Sequence, residues 1–581
     1  MKKIIAAALL FATSMSAQTK LTPARLHEIA NDYYKWAQHE FPVTSSDQGL
    51  HTWDDRLADY SPAAIKRREA HVASVLATIE ATKPTGWSKD DTIDWILFRS
   101  QIDQANFANH VLKSESTNPD FYVGETSNAI FSLLKKEYDT PRNRTLSAEA
   151  RFKKMPAFFA QARKNLTAPV RLYSEFAIES ARAIDPLFKD STEVLARDLS
   201  ASERKEFDAA RDAAIKSEHD FADWLEKKKS SMKEWAPMGE EKYNFMLHRL
   251  LLLPIDAHDL AHLGDVELVR YRALESWLPD PSLADPDPKR AARIPADQQE
   301  FLASYQSREE EIIKFLRDKH LVTLPDYLGP FLIRQLPEAF KPTNPGGFMN
   351  PPGLYDKDNS GFYFIPTYNP NSRNFYIRAA IEDPRPILGH EGIPGHFLQI
   401  SISNHLKDEI RRQQGDGVLN EGWALYGEEM MQREGLYAPN SAGAAQVLRL
   451  ARYRAARIGV DVNLQTGRWT FPQAVQYFMD GGGLDKEAAT GEAAGAAATP
   501  TQKIFYITGK WQILKLLGRY RDRKGAAFNL GEFHDDLLSH GSLPLSVISW
   551  IMLDDASDLE KATGMKLSVS SRASAASRGI L

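Results

Sequence analysis

The chain has 581 residues, 43% of them apolar and 26% charged, which is the composition of an ordinary globular protein with ample material for a large core. Its net charge of −5 argues against a nucleic acid or an anionic membrane as the main partner. There is no cysteine, so neither a disulfide framework nor a cysteine-linked lipid is expected.

The first residues read as a secretory signal: Lys2 and Lys3, an apolar run from Ile4 to Ala12, then the small residues Ser14, Ser16 and Ala17. Cleavage after Ala17 is expected, leaving a mature chain of net charge −7 because the signal carries two lysines and no acid. The run is far shorter than the roughly 20 residues needed to span a bilayer. No later segment is long and apolar enough to do so, and a soluble exported protein follows. The Gram-negative periplasm is the favoured compartment.

From about residue 22 to 325 the pattern is helical. Ser200 and Glu203 have capping-box spacing, after which Phe207, Ala210, Ala214, Phe221 and Leu225 recur on one face. Proline-rich punctuation, Pro279 to Pro281 and Asp285 to Pro288, interrupts the helices, and no internal repeat is evident. Within this region His258 and His262 stand four apart, flanking Asp259. That is metal-binding spacing, but no downstream glutamate word accompanies it, so two surface or interhelical histidines are the better reading.

Lys341 to Pro370 is rich in Pro, Gly and Asn. Gly361–Ile365 and Asn374–Arg378 are expected to be short strands, along whose exposed edge a peptide could be aligned by main-chain hydrogen bonds. A small structural hairpin is the alternative. Pro384 and Pro386 suit the first turn of a helix that bears His390.

His390-Glu391-Gly-Ile-Pro394-Gly395-His396 is followed by Asn420-Glu421-Gly-Trp423-Ala424. Two histidines and a glutamate are the ligand inventory of a hydrolytic zinc site, and a carboxylate beside the first histidine is placed to take a proton from water. His390, His396 and Glu421 are therefore the candidate metal ligands and Glu391 the general base. The histidines are six apart, about 240° of helical rotation, so they cannot share one face of a continuous helix. Pro394 lacks an amide hydrogen and clashes with the carbonyl of His390, and Gly395 adds backbone freedom, so a break there is expected to return His396 to the metal. Glu421 should sit early in a helix running towards Glu434. On that helix Glu428 lies nearly eclipsed with it, either supporting a ligand histidine from behind or solvated on an acidic face. Asn420 caps that helix or orients Glu421, and Trp423 and Tyr426 read as core residues.

The words His390 to Gln399, Glu421 to Glu428 and Phe533-His534-Asp535 to Pro544 resemble the bacterial domain-of-unknown-function family 885, over nearly the whole mature chain. That family is similar to the gluzincin metallopeptidases, such as angiotensin-converting enzyme, aminopeptidase N and thermolysin. The resemblance implies a mainly α, large helical zincin-like fold with a small β-sheet next to the active-site helix. It implies one zinc ion, Glu421 as third ligand and short peptides as substrate. It leaves residues 1–17 as signal, 18–325 as an N-terminal helical part containing the His258 pair, and 326–581 as the metallopeptidase-like part, the last two forming one continuous unit. Related gluzincins stabilise the oxyanion with a tyrosine or histidine from C-terminal helices, which points to Tyr506 or His534. His534 is equally readable as a buried structural histidine. Lys510, four residues after Tyr506, is the candidate anchor for a substrate carboxylate. Where the resembled family carries an Arg-Tyr pair before the equivalent of Pro500, this chain has Gly495-Ala496, within the small-residue stretch Glu487 to Ala498.

The expected activity is an exported zinc peptidase acting as an exopeptidase or dipeptidase. Hydrolysis of a non-peptide amide, and peptide binding on an inactive peptidase scaffold, are the alternatives.

Overall fold

The computed structural model describes residues 21–278, 294–336, 347–372, 375–438 and 441–567. The signal sequence, the prolines between Pro279 and Pro288, Lys341 to Gly346 and Asn374 lie outside the described residues.

The fold is mainly helical, with one three-stranded sheet among the described residues. The expected capping box forms, with the Ser200 side chain accepting from the Glu203 amide and the Glu203 carboxylate accepting from the Ser200 amide. The helix it opens, Ala201–Lys228, buries Phe207, Ala210, Ala214, Phe221 and Leu225 as their spacing predicts. Burying side chains of this size stabilises the fold by roughly 1.5–3 kcal/mol for each large one. The apolar core ignores the sequence boundary near 325: one cluster joins Leu26, Trp95 and Phe98 to Phe331, Phe397 and Trp423. No described helix is long and apolar enough to cross a membrane.

The sheet has the order β1 (Phe331–Gln335), β3 (Gly361–Ile365), β2 (Phe348–Asn350), with β1 parallel and β2 antiparallel to β3. Alternate residues leave its two faces. Phe331 turns to the C-terminal helices and stacks on Phe397, ring centroids 5.0 Å apart. Leu332, Arg334, Phe362 and Phe364 line a cavity of about 1430 Å³ on the other face.

Two strand expectations need correction. Residues Phe375–Glu382 form a helix, so the second aromatic segment is no strand beyond Asn374. Gly361–Ile365 is the central strand and is paired on both sides, so the free edges belong to β1 and β2. β-rich composition misled because Phe, Tyr and Ile suit a buried helix face as well as a strand.

Candidate metal centre

The His390 helix, Arg385–Glu391, starts as its prolines dictate, with Pro384 at the cap and Pro386 in the first turn. It ends within the motif. Residues 392–395 are non-helical, the Ile393–Pro394 peptide is cis, and a second helix, His396–Asn404, begins at the second histidine. Gly395 is required in this break: a Cβ there would lie 1.9 Å from the His390 carbonyl oxygen. Trp423 ties the break to the Glu421 helix, its buried indole N–H donating to the Pro394 carbonyl at 2.7 Å.

That helix, Gly417–Arg433, is capped by Asp416, whose carboxylate accepts from the Leu419 amide at 2.6 Å. Asn420 lies inside the first turn, so the capping role considered for it belongs to Asp416. The helix crosses Phe505–Lys524 at a glycine pair: a Cβ on Gly422 would lie 2.5 Å from Gly509 Cα, and one on Gly509 would lie 1.9 Å from the Val418 carbonyl. Glycine at both positions lets the backbones touch, which brings Tyr506 and the Glu421 helix to one site.

The break makes the two histidines converge. Their rings lie 4.7 Å apart, nearly perpendicular at 83°. Glu421 Oε2 is 3.3 Å from His390 Nε2 and 3.4 Å from His396 Nε2, and the ligand atoms of the three residues lie within 4.8 Å of one another. Among the described residues the buried Oε2 atom has no hydrogen-bond partner. Burial opposes ionisation of Glu421, but the two imidazoles overcome it and hold its carboxyl well below the usual range. Two imidazoles and a carboxylate around one point match the donor set of a catalytic zinc site.

Glu428 is wholly buried behind His390, where Nδ1–H donates to Oε1 at 2.7 Å. This leaves Nε2 directed at Glu421, the tautomer a ligand histidine needs. Of the two readings of Glu428, solvated carboxylate and support for a ligand, the buried position fits the second. The sequence reading did not single out Arg454, whose guanidinium donates to both Glu428 oxygens at 2.7 and 3.0 Å. Burial and Arg454 pull the His390 imidazole down, yet Glu421 and Glu428 prevail and raise it to about 9, so at neutral pH Nε2 also carries a proton towards Glu421, which a metal ion would replace.

Glu391 follows His390 directly and lies near enough to Tyr363 of β3 to act on it electrostatically. Its carboxylate adds to burial and to Tyr305 in holding the Tyr363 phenol well above its usual range. Tyr506 packs over the site from the C-terminal side, its ring 6.3 Å from that of His390 at an angle of 17°.

Two expected residues sit elsewhere. His534 is fully buried, its Nδ1–H donating to the Leu321 carbonyl at 2.6 Å and its Nε2 accepting from the Tyr426 hydroxyl at 2.8 Å. Both ring nitrogens are thus used within the core, and burial pulls the imidazole down to about 4. The structural reading of His534 replaces the oxyanion reading. Lys510 is buried too, its ammonium 2.7 Å from Glu429 and bonded to the Tyr271 hydroxyl. A lysine buried between helices with its ammonium spent on Glu429 and Tyr271 cannot reach a substrate carboxylate without breaking that buried pair, so the anchor role is withdrawn.

His258 and His262 are exposed on the helix Ala257–Glu275. A second described group with metal-binding spacing, His27, Asp94 and Asp408, differs from the first. Arg411 already holds Asp94 at 2.8 Å, and the two His27 nitrogens face different carboxylates.

The sequence matches the family described as "Bacterial protein of unknown function (DUF885)" over residues 42–552. The chain belongs to this family. Two solved structures are similar to it in fold. One, from Shewanella oneidensis and described as "a putative lipoprotein of unknown function", is 22% identical with a TM-score of 0.72, covering 92% of this chain and 100% of its own. The other, described as "the putative lipoprotein from Colwellia psychrerythraea", is 18% identical with a TM-score of 0.76, covering 91% of this chain and 98% of its own. At these identities the likeness concerns the fold alone. A comparison with functionally curated proteins gives no match.

Proposed function

We propose that this DUF885 member is an exported zinc peptidase of the gluzincin type, hydrolysing short peptides as an exopeptidase or dipeptidase. The observation that carries the reading is the convergence of His390, His396 and Glu421 across a helix break, with Glu391 adjoining and Glu428 fixing the tautomer of His390. Zinc held by the three residues would polarise the scissile carbonyl and acidify water.

The remaining work falls to side chains. Glu391 accepts a proton from the attacking water and passes it to the leaving amine. The Tyr506 phenol donates to the oxyanion that forms on the carbonyl. Glu428, neutralised by Arg454, holds the His390 ring so that its Nε2 lone pair stays directed into the site. Export is supported by the signal-like N-terminal sequence and by the word lipoprotein in the descriptions of both solved relatives. This sequence holds no cysteine, so a soluble periplasmic protein is proposed here.

Digestion of a synthetic peptide library by the zinc-loaded protein tests the activity and reports which end is cleaved. Zinc-dependent release of terminal residues or dipeptides is expected. A library left intact in the presence of stoichiometric zinc would refute the peptidase reading.

A further inference from the structure

With Lys510 sealed against Glu429, the charged anchor for a short peptide must lie elsewhere. Among the buried residues of the helix Ala442–Gln465 are two arginines three residues apart, Arg454 and Arg457, with Asp461 one turn further on. Arg454 is committed to Glu428. Arg457 lies one turn on, its guanidinium 4.8 Å from the ring of Tyr506, the same ring that packs against His390. It donates to Glu492 through Nε at 3.0 Å and through a terminal nitrogen at 2.9 Å, and it also holds the Tyr453 hydroxyl.

Glu492 is shared. It comes from the small-residue helix Lys486–Ala498, and its Oε2 also lies 3.2 Å from the Lys503 ammonium, carried by the short turn Gln502–Ile504. Gly495 leaves room for that ammonium: a Cβ there would stand 3.3 Å from Lys503 Nζ. The nearby carboxylate of Asp461 is turned inward and satisfied by the Tyr243 hydroxyl and the Thr501 and Lys503 amides. Two cations thus bind one carboxylate, and among the described residues the Lys503 ammonium, with three donors, has this one carboxylate within ion-pair distance. Lys503 keeps 13% of its side chain exposed, against 2% for Lys510, so it is the reachable cation of the pair, with Arg457 buried beside it.

We propose that Arg457 and Lys503, bridged by Glu492, seat the free α-carboxylate of a short peptide whose scissile bond lies at the His390–His396–Glu421 site. The inference rests on the peptidase reading. A planar guanidinium and an ammonium side by side suit a carboxylate, and their largely buried setting strengthens the pull. Glu492, already neutralised twice over, is a poor seat for a substrate ammonium. The arrangement therefore selects the carboxyl end of a peptide.

The test uses N-acetyl-trialanine as the free acid and as its C-terminal amide, with the zinc-loaded wild type, Lys503→Met and Glu492→Gln. The wild type should prefer the acid in kcat/KM, and Lys503→Met should reduce the acid-to-amide ratio about tenfold or more, mainly through KM. Glu492→Gln, which leaves the cations less compensated, should raise the ratio. Its opposite direction separates the proposal from simple loss of fold. Equal rates on the two peptides, or a ratio unmoved by either substitution, would overturn the seat. If the wild type cleaves neither peptide, calorimetric binding decides. Preferential binding of the acid that is lost in Lys503→Met keeps the seat and sinks the peptidase reading, while equal binding of acid and amide sinks the seat.

Discussion

Two histidine pairs in this chain invert the usual expectation. His258 and His262 have the i, i+4 spacing of a helical metal motif, yet both are exposed on one side of the helix Ala257–Glu275. His390 and His396 have the wrong spacing for one helix, yet their rings lie 4.7 Å apart, with the Glu421 carboxylate beside both. The difference lies in what surrounds them. A helix interrupted at Gly392–Gly395 resets the rotation between the second pair, and the glycine crossing of Gly422 with Gly509 lets the Glu421 helix pack deep enough to deliver a third donor. Spacing along one helix is a proxy for convergence, and convergence is what a metal requires.

The comparison breaks most sharply at the ligands. His390→Ala, His396→Ala and Glu421→Ala should each lower activity to the level of zinc-free protein, with zinc lost in parallel by mass-spectrometric metal analysis. A His396→Ala protein with full zinc occupancy would show that the break does not serve coordination. Next, Glu391→Gln should keep zinc and fold while turnover falls about 10²–10⁴-fold, because the amide cannot accept the proton. Unchanged turnover would remove Glu391 from the base role. Glu428→Gln should weaken zinc binding roughly 10–100-fold in competition with a chelator, since the hydrogen bond behind His390 changes from charged to neutral.

A third kind of histidine sharpens the contrast. His534 is held neutral in the fold by burial, down to about 4 from an ordinary value of 6.5, so the unfolded chain binds its proton first as the pH falls. Stability owed to this group is present above 6.5 and lost on acidification, by about 1.5 kcal/mol between pH 6.5 and 5. Denaturant titrations at the two pH values should show a shallower acid loss by that amount in His534→Gln. Identical pH dependence would mean that the imidazole is not neutral in the fold. The smallest effect belongs to the exposed pair: His258→Ala with His262→Ala should leave zinc content and activity as they were and shift stability by no more than about 0.5 kcal/mol.

What the sequence made legible follows from the range of the forces involved. Local chemistry was readable. Pro384 and Pro386 announced a helix start, Pro394 and Gly395 a break, and Ser200 with Glu203 a cap, because each acts within one turn of its own position. The seven-residue step from Glu421 to Glu428 also held, since one helix carries both. Long-range pairing was not readable. Nothing near Lys510 in sequence announces Glu429 or Tyr271, and nothing near His534 announces Leu321 or Tyr426. Arg454 and Arg457 did leave a signal, two arginines followed one turn on by Asp461 among the apolar and small residues of one helix, a pattern of buried charges in need of partners.

The central claim is that one divalent cation sits between His390, His396 and Glu421. Anomalous X-ray scattering at the zinc edge, from crystals of the zinc-loaded protein, measures this directly. The account predicts a strong peak about 2.0–2.2 Å from His390 Nε2, His396 Nε2 and a Glu421 carboxylate oxygen. A peak at His27, Asp94 and Asp408 with none at the His390 site, or no ordered zinc at all, would contradict it.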